Sequence, residues 1–146
     1  MTLLGSLAIV IALVAGTALL GWAWRARTGR TRAASGELIA PESLGEDTRF
    51  GTSATLLQFS TDYCTSCRST RTALASLAAQ QRGVAHLEIN LTRRPELAGR
   101  FHVMQTPTTL VLDERGAVRA RVGGAPRMEE LRATLAEVTG VGHVVA

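Results

Sequence analysis

Two cysteines, Cys64 and Cys67, are the only ones in the 146-residue sequence, and two residues separate them. The apolar run 54–59 before them predicts a strand, and residues 68–82 after them predict a helix. A helix that starts at the first cysteine would bring both sulfur atoms within reach of one disulfide. Its free N–H groups and its dipole would favour a thiolate, which is the nucleophilic form of cysteine. We therefore expect Cys64 to attack a disulfide and Cys67, one turn further in, to resolve the mixed disulfide.

Arg68 and Arg71 lie on the same predicted helix, near its start. They could add positive potential near the sulfur atoms. The simpler interpretation is that both are solvated arginines on an exposed face.

The composition excludes several other classes of protein and site. The net charge is +4, and the four arginines between Arg25 and Arg32 alone match it. No basic patch with interleaved aromatic residues is present, so we expect no binding of nucleic acid. Two cysteines are too few for a disulfide-stapled scaffold. A structural zinc site needs four ligands, and the only other candidates are three histidines at unrelated spacing, so we expect no metal site.

The first part of the chain predicts a membrane anchor. Leu3 to Trp24 carries no charge, and these residues would form about 33 Å of helix, enough to cross a hydrocarbon core of about 30 Å. Trp22 and Trp24 stand at its end, where tryptophans lie at the membrane interface. A cleaved signal peptide would have a positive charge before the apolar run and small residues after it. Neither is present, so we expect the anchor to be uncleaved.

Arginines follow the anchor and none precedes it, which predicts a domain on the cytoplasmic side. We divide the chain into a transmembrane anchor (1–24), a basic and then polar flexible linker (25–48), a domain (49–140) and a tail (141–146). The linker is expected to have little order before a short edge strand at 37–39.

The rest of the domain alternates strands with helices. A strand at 84–91 is followed by a short helix after Pro95. A strand at 110–112 and its hairpin partner at 117–122 are joined by a tight turn at 113–116. The last helix begins after Pro126, and its predicted buried stripe consists of Met128, Leu131, Leu135 and Val138. The order β-α-β-α-β-β-α predicts an α/β fold with a central mixed sheet and helices on both faces.

From about Ser53 to Leu135 the chain resembles the thioredoxin family. The matching stretches are 56–59, Tyr63-Cys-Thr-Ser-Cys67, 87–90, Phe101-His-Val-Met-Gln-Thr-Pro-Thr108, 122–124 and the C-terminal helix. The resemblance implies a thioredoxin-like fold, with Cys64 as the attacking and Cys67 as the resolving cysteine.

The resemblance also implies a substrate groove. Pro107 matches the family's cis-proline, which faces the disulfide, and the backbone of Thr106 beside it would pair with an extended substrate segment. Gly123 and Gly124 would line the same groove.

Two departures from the family pattern concern proton transfer. Thioredoxins proper have a buried aspartate before the motif that is thought to take the proton of the resolving thiol, whereas this chain has Gln58. An amide cannot act as a base, so water or another group must serve. His86 replaces the usual lysine on the following strand. It is either a titrating partner near the site or an exposed strand histidine.

The other departures lie next to the cysteines. Ser60 and Tyr63 replace the usual tryptophans, and Tyr63 still supplies a flat apolar wall beside Cys64. Thr65 and Ser66 replace Gly-Pro between the cysteines, and their hydroxyls could bond a thiolate.

Three hypotheses follow for function. The first is a membrane-anchored thiol–disulfide oxidoreductase that reduces disulfides in partner proteins, needs no cofactor and receives electrons from an upstream donor; reduction is the expected direction in the cytoplasm. The second is an extracytoplasmic oxidase, isomerase or cytochrome-maturation reductant. The third is a non-catalytic binding module of thioredoxin fold whose cysteine pair is inert or holds a metal.

Overall fold

The computed structural model describes residues 3–34, 36–45 and 48–140 of the chain. The predicted tail at 141–146 and residues 46 and 47 of the predicted linker lie outside the described residues.

The first element is one long helix, α1, at Leu3–Arg27. Among the described residues it is the one helix long and apolar enough to cross a membrane, and none of its apolar window is buried against the rest of the chain. It therefore does not serve as a core helix of the domain. The helix continues three residues past the predicted end of the anchor, so that Arg25 and Arg27 form its last turn.

The domain is built on one five-stranded sheet. Its strands are β1 (Thr31–Ala33), β2 (Ala54–Ser60), β3 (Val84–Asn90), β4 (Thr108–Asp113) and β5 (Val118–Gly123), and its helices are α2 (Thr65–Ala79), α3 (Glu96–Arg100) and α4 (Met128–Val138). The spatial order is β1-β5-β4-β2-β3. Strand β2 pairs in parallel with β3, and the remaining pairs are antiparallel. The predicted mixed sheet and the predicted order of elements from β2 onwards are confirmed.

Strand β2 lies in the middle of the domain and leads directly to the cysteines. It has a neighbour on each side, and all seven of its residues are buried. Its side chains alternate between the two faces: Leu56 joins the cluster under α2 and α4, whereas Leu57 and Phe59 join the cluster on the opposite face. Burying each such side chain contributes about 1.5–3 kcal/mol. The position of the motif is thereby fixed by the core.

Helices cover both faces of the sheet, as predicted. On one face, α2 and α4 contribute Leu74, Leu77, Leu131 and Leu135. On the other face, Leu97 of α3 packs with Ile39 and Leu44 from the segment before β2, and with Phe101. Of the stripe predicted for α4, Leu131 and Leu135 are fully buried, while Met128 and Val138 pack at its edge.

The edge strand was predicted at the wrong place. Residues 37–39 make only an isolated bridge, from Leu38 to Ala117, although the side chain of Ile39 is buried. The edge strand is β1, inside the segment for which little order was predicted, and Thr31, Arg32 and Ala33 pair with β5. These three residues are exposed or half-buried, so no apolar alternation marks them in the sequence. Their pairing comes from the free backbone edge of β5. The division into anchor, linker and domain stays a prediction.

The turn between β4 and β5 forms where it was predicted. The N–H of Gly116 donates to the carbonyl of Asp113 at 3.0 Å, and Gly116 has φ 82°, which favours glycine. The Asp113 carboxylate accepts hydrogen bonds from the backbone N–H groups of Arg115 and Ala117. The turn fixes the register of the hairpin that carries Thr108 and Gly123 at its open end.

Candidate active site

The two cysteines lie at the start of α2 and form a disulfide. Cys64 is the N-cap residue of the helix, with extended backbone, and the helix begins at Thr65. The Cys64–Cys67 sulfur atoms are bonded, with Cα atoms 5.3 Å apart. Cys64 is half-buried, whereas Cys67 is only 2% exposed. Cys64 is thus the more accessible residue of the pair, and Cys67 is the shielded one.

The residues beside Cys64 are accessible. Tyr63 is 91% exposed, so its ring stands beside the motif in solvent. The hydroxyl oxygen of Ser66 lies 3.7 Å from the sulfur of Cys64, within reach of a weak hydrogen bond. Thr65 is also exposed.

The loop before β4 faces the segment that precedes the motif. The Thr106–Pro107 peptide bond is cis, as the family resemblance implies. The Thr106 hydroxyl lies 3.4 Å from that of Thr61, three residues before Cys64. The carbonyl of Pro107 accepts a hydrogen bond of 2.7 Å from the N–H of Gly124. The structure therefore brings the predicted groove residues of this loop and of β5 together.

Gly123 is the last residue of β5 and pairs with Thr108. A Cβ atom at this position would lie 2.4 Å from the side-chain nitrogen of Gln105. The absence of a side chain at Gly123 therefore makes room for Gln105 next to the cis-proline loop.

A buried polar layer separates α2 from the sheet below the motif. Gln58 is fully buried, and its Nε2 donates to the backbone carbonyl of Cys67 at 3.0 Å. Its Oε1 lies 3.1 Å from Nε2 of His86. Thr70 and Thr109 are also buried, and their hydroxyls have no hydrogen-bond partner. The Gln58 side chain thus forms a hydrogen bond with the backbone of Cys67. His86 is a half-buried hydrogen-bond partner of the same amide rather than an exposed strand histidine.

An ion pair lies beside this layer and was not predicted. Arg71 of α2 donates to a carboxylate oxygen of Glu88 on β3 at 2.8 Å, so its charge is not simply solvated. Burial alone would raise the pKa of Glu88, but hydrogen bonds from Arg71 and Ser60 and the charge of Arg71 hold that pKa below its usual range. The sequence offered one signal that Glu88 lies near this layer, which is its spacing of two residues from His86, since residues two apart share a face of a strand.

Burial lowers the pKa of His86 below its usual range. The charge of Glu88 opposes this shift, and the charge of Arg71 adds to it. The neutral imidazole is therefore the favoured form at this site.

Within residues 3–34, 36–45 and 48–140, no group of three or more histidine, cysteine or carboxylate side chains is placed to hold a metal ion.

Comparison with known proteins agrees with this architecture. Residues 42–137 match the family model for thioredoxin. Similar solved structures include a point mutant of thioredoxin from Halobacterium salinarum (23% identity, 60% of this chain and 76% of that chain, TM-score 0.53) and thioredoxin f2 from Chlamydomonas reinhardtii (22%, 66% and 86%, 0.53). A further one is thioredoxin from Fasciola hepatica (22%, 60% and 82%, 0.51).

No curated protein sequence matches the chain. The structural neighbours therefore support the fold, and the family model adds a match over most of the domain. With its bonded cysteine pair at the start of α2, the chain belongs to the thioredoxin family.

Proposed function

We propose that this protein reduces disulfides in partner proteins by dithiol–disulfide exchange at Cys64-Thr-Ser-Cys67. The observation that carries the proposal is the asymmetry of the bonded pair: Cys64 is half-buried at the N-cap of α2, and Cys67 is almost completely buried one turn later. Membership of the thioredoxin family supports thiol–disulfide oxidoreductase chemistry in general. The direction, the partner and the roles of single residues belong to the proposal.

The exchange begins from the reduced pair. Cys64 as a thiolate, favoured by the N–H groups and the dipole of the helix N-terminus, attacks one sulfur of the partner's disulfide, and the other partner sulfur leaves as a thiolate and takes up a proton. Cys67 then loses its proton and attacks the sulfur of Cys64. The partner leaves with two thiols, and the Cys64–Cys67 disulfide holds the oxidising equivalents. An upstream dithiol donor must return the pair to the reduced state.

The groove residues would hold an extended segment of the partner next to Cys64. Thr106 and Pro107 would provide backbone at the foot of the groove, Gly123 would leave room for the Gln105 side chain beside it, and Tyr63 would offer an exposed ring next to Cys64. These contacts recognise backbone and apolar surface rather than one sequence, which suits a protein partner.

The proton of Cys67 needs an acceptor other than Gln58. The amide bonds the backbone of Cys67 and the ring of His86, so His86 is the nearest titrating group in this chain of hydrogen bonds. We assign both residues a modulating role: they set the polarity around the inner sulfur, and the proton itself passes to water or to the leaving thiolate.

We further propose that α1 spans a membrane and that the domain lies on the cytoplasmic side. Its length, its apolar surface and the arginines that follow it support this placement. Glutathione and thioredoxin keep cytoplasmic thiols reduced, which makes reduction the expected direction.

The test of the two cysteine roles is trapping of mixed disulfides. Cys67→Ser should accumulate partners bound to Cys64, because the resolving thiol is gone, whereas Cys64→Ser should trap none. Non-reducing electrophoresis and mass spectrometry of the full chain measure both. Ser66→Ala, which keeps both thiols, serves as the control and should trap no more than the wild type. Equal trapping by the two cysteine variants would refute the assignment.

The test of direction is the equilibrium reduction potential of the full chain in detergent micelles. A value near about −270 mV supports a reductase, and a value near about −120 mV marks an oxidant and favours the extracytoplasmic hypothesis. If no Cys64–Cys67 disulfide forms under any redox condition, both enzymatic hypotheses fail and the binding module remains.

The test of topology is a reporter enzyme joined after residue 146. If a reporter that is active only in the cytoplasm shows activity, the result agrees with the proposal. If only a reporter that is active outside the cytoplasm shows activity, the domain lies on the other side of the membrane.

A further inference from the structure

A cavity of about 450 Å³ lies between the end of α1 and the domain. Its apolar wall includes Leu20 and Trp24 of α1 and Met104 of the loop before β4. Trp24 is 71% exposed and Met104 is 92% exposed, so both are large apolar side chains with little cover from the protein. One wall of the cavity is therefore apolar and accessible.

The other wall carries positive charge. Arg27, Arg30, Arg32 and Arg121 all line the cavity, and no carboxylate of residues 3–34, 36–45 and 48–140 does. Among the described residues, none of these four arginines takes part in a salt bridge. Within the described part of the chain no salt bridge neutralises this wall, although the charge of Glu37 acts on Arg121.

Two of these arginines are forced together by the sheet. Arg32 of β1 lies directly opposite Arg121 of β5 in the antiparallel register, so both side chains project from the same face. Like charges directly opposite each other destabilise a strand pair. Burial lowers the pKa of Arg121, although the charge of Glu37 opposes this, and the Arg121 guanidinium donates to the carbonyl of Phe101 at 2.8 Å. A bound anion would relieve this pairing.

The walls are held in place by hydrogen bonds across the junction. The N–H of Gly29 donates to the carbonyl of Gly123 at 2.9 Å, and the N–H of Arg127 donates to the carbonyl of Gly29 at 3.1 Å. The Arg127 guanidinium also donates to the carbonyl of Ala26 at 3.1 Å. These hydrogen bonds tie the end of α1 and the residues that follow it to the domain, and they connect the two walls of the cavity.

We propose that this cavity binds the phosphate headgroup of an anionic phospholipid from the membrane that α1 spans. The arginines would contact the phosphate, and the upper acyl chain would lie along Leu20 and Trp24. From Leu20 to Arg27 is seven residues, or about 10 Å along a helix, which is the depth from a headgroup into the upper hydrocarbon. The proposal rests on the membrane placement proposed above.

The site would place the substrate groove at the membrane surface. Gln105 and Gly123 line the cavity and also border the cis-proline loop. A lipid bound there would hold this side of the groove beside the headgroups, where disulfides of membrane proteins are presented.

The test is a titration of the full chain in neutral detergent micelles with phosphatidylglycerol, followed by native mass spectrometry. Phosphatidylcholine with the same acyl chains is the matched lipid. We expect phosphatidylglycerol to bind more tightly to the wild type. The double variant Arg30→Gln/Arg32→Gln should lose about 25-fold in affinity, since each arginine near an anionic lipid contributes about 1 kcal/mol and about 1.4 kcal/mol is tenfold. Arg82→Gln/Arg115→Gln, which removes the same charge at exposed positions outside the cavity, should lose little.

Several outcomes would overturn the proposal. Equal affinity for the two lipids would do so, as would an equal loss in both double variants. Glycerol phosphate and inorganic phosphate are titrated in parallel, and binding of either as tightly as the lipid would assign the cavity to a free anion. Reduction of a small soluble disulfide by the same samples, and resistance of the full chain to extraction from membranes at alkaline pH, test the proposed chemistry and the anchor separately.

Discussion

Gln58 and His86 share a hydrogen bond of 3.1 Å beneath the helix that carries the cysteines. The Nε2 of Gln58 donates to the carbonyl of Cys67, so its Oε1 must face His86 and accept. We therefore assign the imidazole proton to Nε2 of His86. This neutral pair occupies the place where thioredoxins proper have a carboxyl group, and it leaves the inner cysteine without a charged neighbour at this position.

The first prediction concerns Gln58→Glu. A carboxylate in place of the amide oxygen would face the His86 ring, and an opposite charge within about 4–6 Å favours the charged form by about one to three pH units. Burial lowers the pKa of His86 in the wild type. In the variant we expect this pKa to rise by about one to three units. Titration of the ring signals by NMR measures it. Gln80→Glu, the same change at an exposed position, should leave the His86 titration as it is. If both variants titrate alike, the hydrogen bond assigned here is absent in solution.

The second prediction concerns stability and pH. Because burial lowers the pKa of His86 in the folded protein, the unfolded chain binds more protons in the window that extends downwards from about pH 6.5. The contribution of neutral His86 is therefore fully present at pH 7 and is lost as the pH falls through this window. Glu88 has its pKa lowered as well, so it stays ionised there and adds its own loss only at lower pH.

Denaturant unfolding of the full chain in detergent between pH 8 and pH 5.5 measures this effect. The free energy of unfolding should decrease as the pH is lowered in the wild type, and it should decrease less in His86→Gln. The same pH dependence in both proteins would show that His86 is not the group responsible.

The cysteine site could be predicted from the sequence because its determinants are local. The apolar run of β2, the two-residue spacing and the following helical stretch place Cys64 at a helix start whatever the rest of the chain does. The turn at Gly116 has the same character, since a few neighbouring residues decide it.

The contacts around the site could not be predicted in the same way. The bond from Arg71 to Glu88 depends on how α2 lies across β3, and the bond from Gln58 to His86 depends on the register of two strands. Strand β1 was missed for a related reason: its partner is the backbone of β5, about 90 residues away in sequence, and its exposed side chains follow no apolar pattern.

The third prediction concerns Gly123→Ala. The added Cβ would lie 2.4 Å from the side-chain nitrogen of Gln105, which is exposed and can swing away. We expect the free energy of unfolding to change by no more than about 0.5 kcal/mol. The displaced Gln105 side chain would crowd the groove, so kcat/KM for a protein disulfide should fall about tenfold, equivalent to about 1.4 kcal/mol. A small soluble disulfide, which needs no groove, should be reduced as before.

Gly99→Ala is the matched control, because an added Cβ there meets nothing within 4 Å. An equal loss on the protein substrate and the small substrate would place the effect of Gly123→Ala on the cysteines rather than on the groove.

The fourth prediction concerns where a soluble domain can begin. A chain that starts at Ser35 keeps the predicted domain but lacks β1, whereas a chain that starts at Thr28 retains it. The shorter piece loses the bond from Gly29 to Gly123, the bond from Thr31 to a Glu130 carboxylate oxygen at 3.1 Å and the β1–β5 ladder. At about 1 kcal/mol for each of several hydrogen bonds, its free energy of unfolding should be lower by about 2–4 kcal/mol.

The shorter piece also leaves the edge of β5 open to pairing with other chains. We therefore expect it to self-associate at concentrations where the longer piece stays monomeric, and sedimentation together with urea unfolding measures both effects. Equal unfolding free energies and equal monomeric behaviour would mean that β1 contributes nothing to the domain. In that case residues 25–48 would act as the flexible linker that the sequence predicted, and the junction that forms the cavity beside α1 would not be rigid.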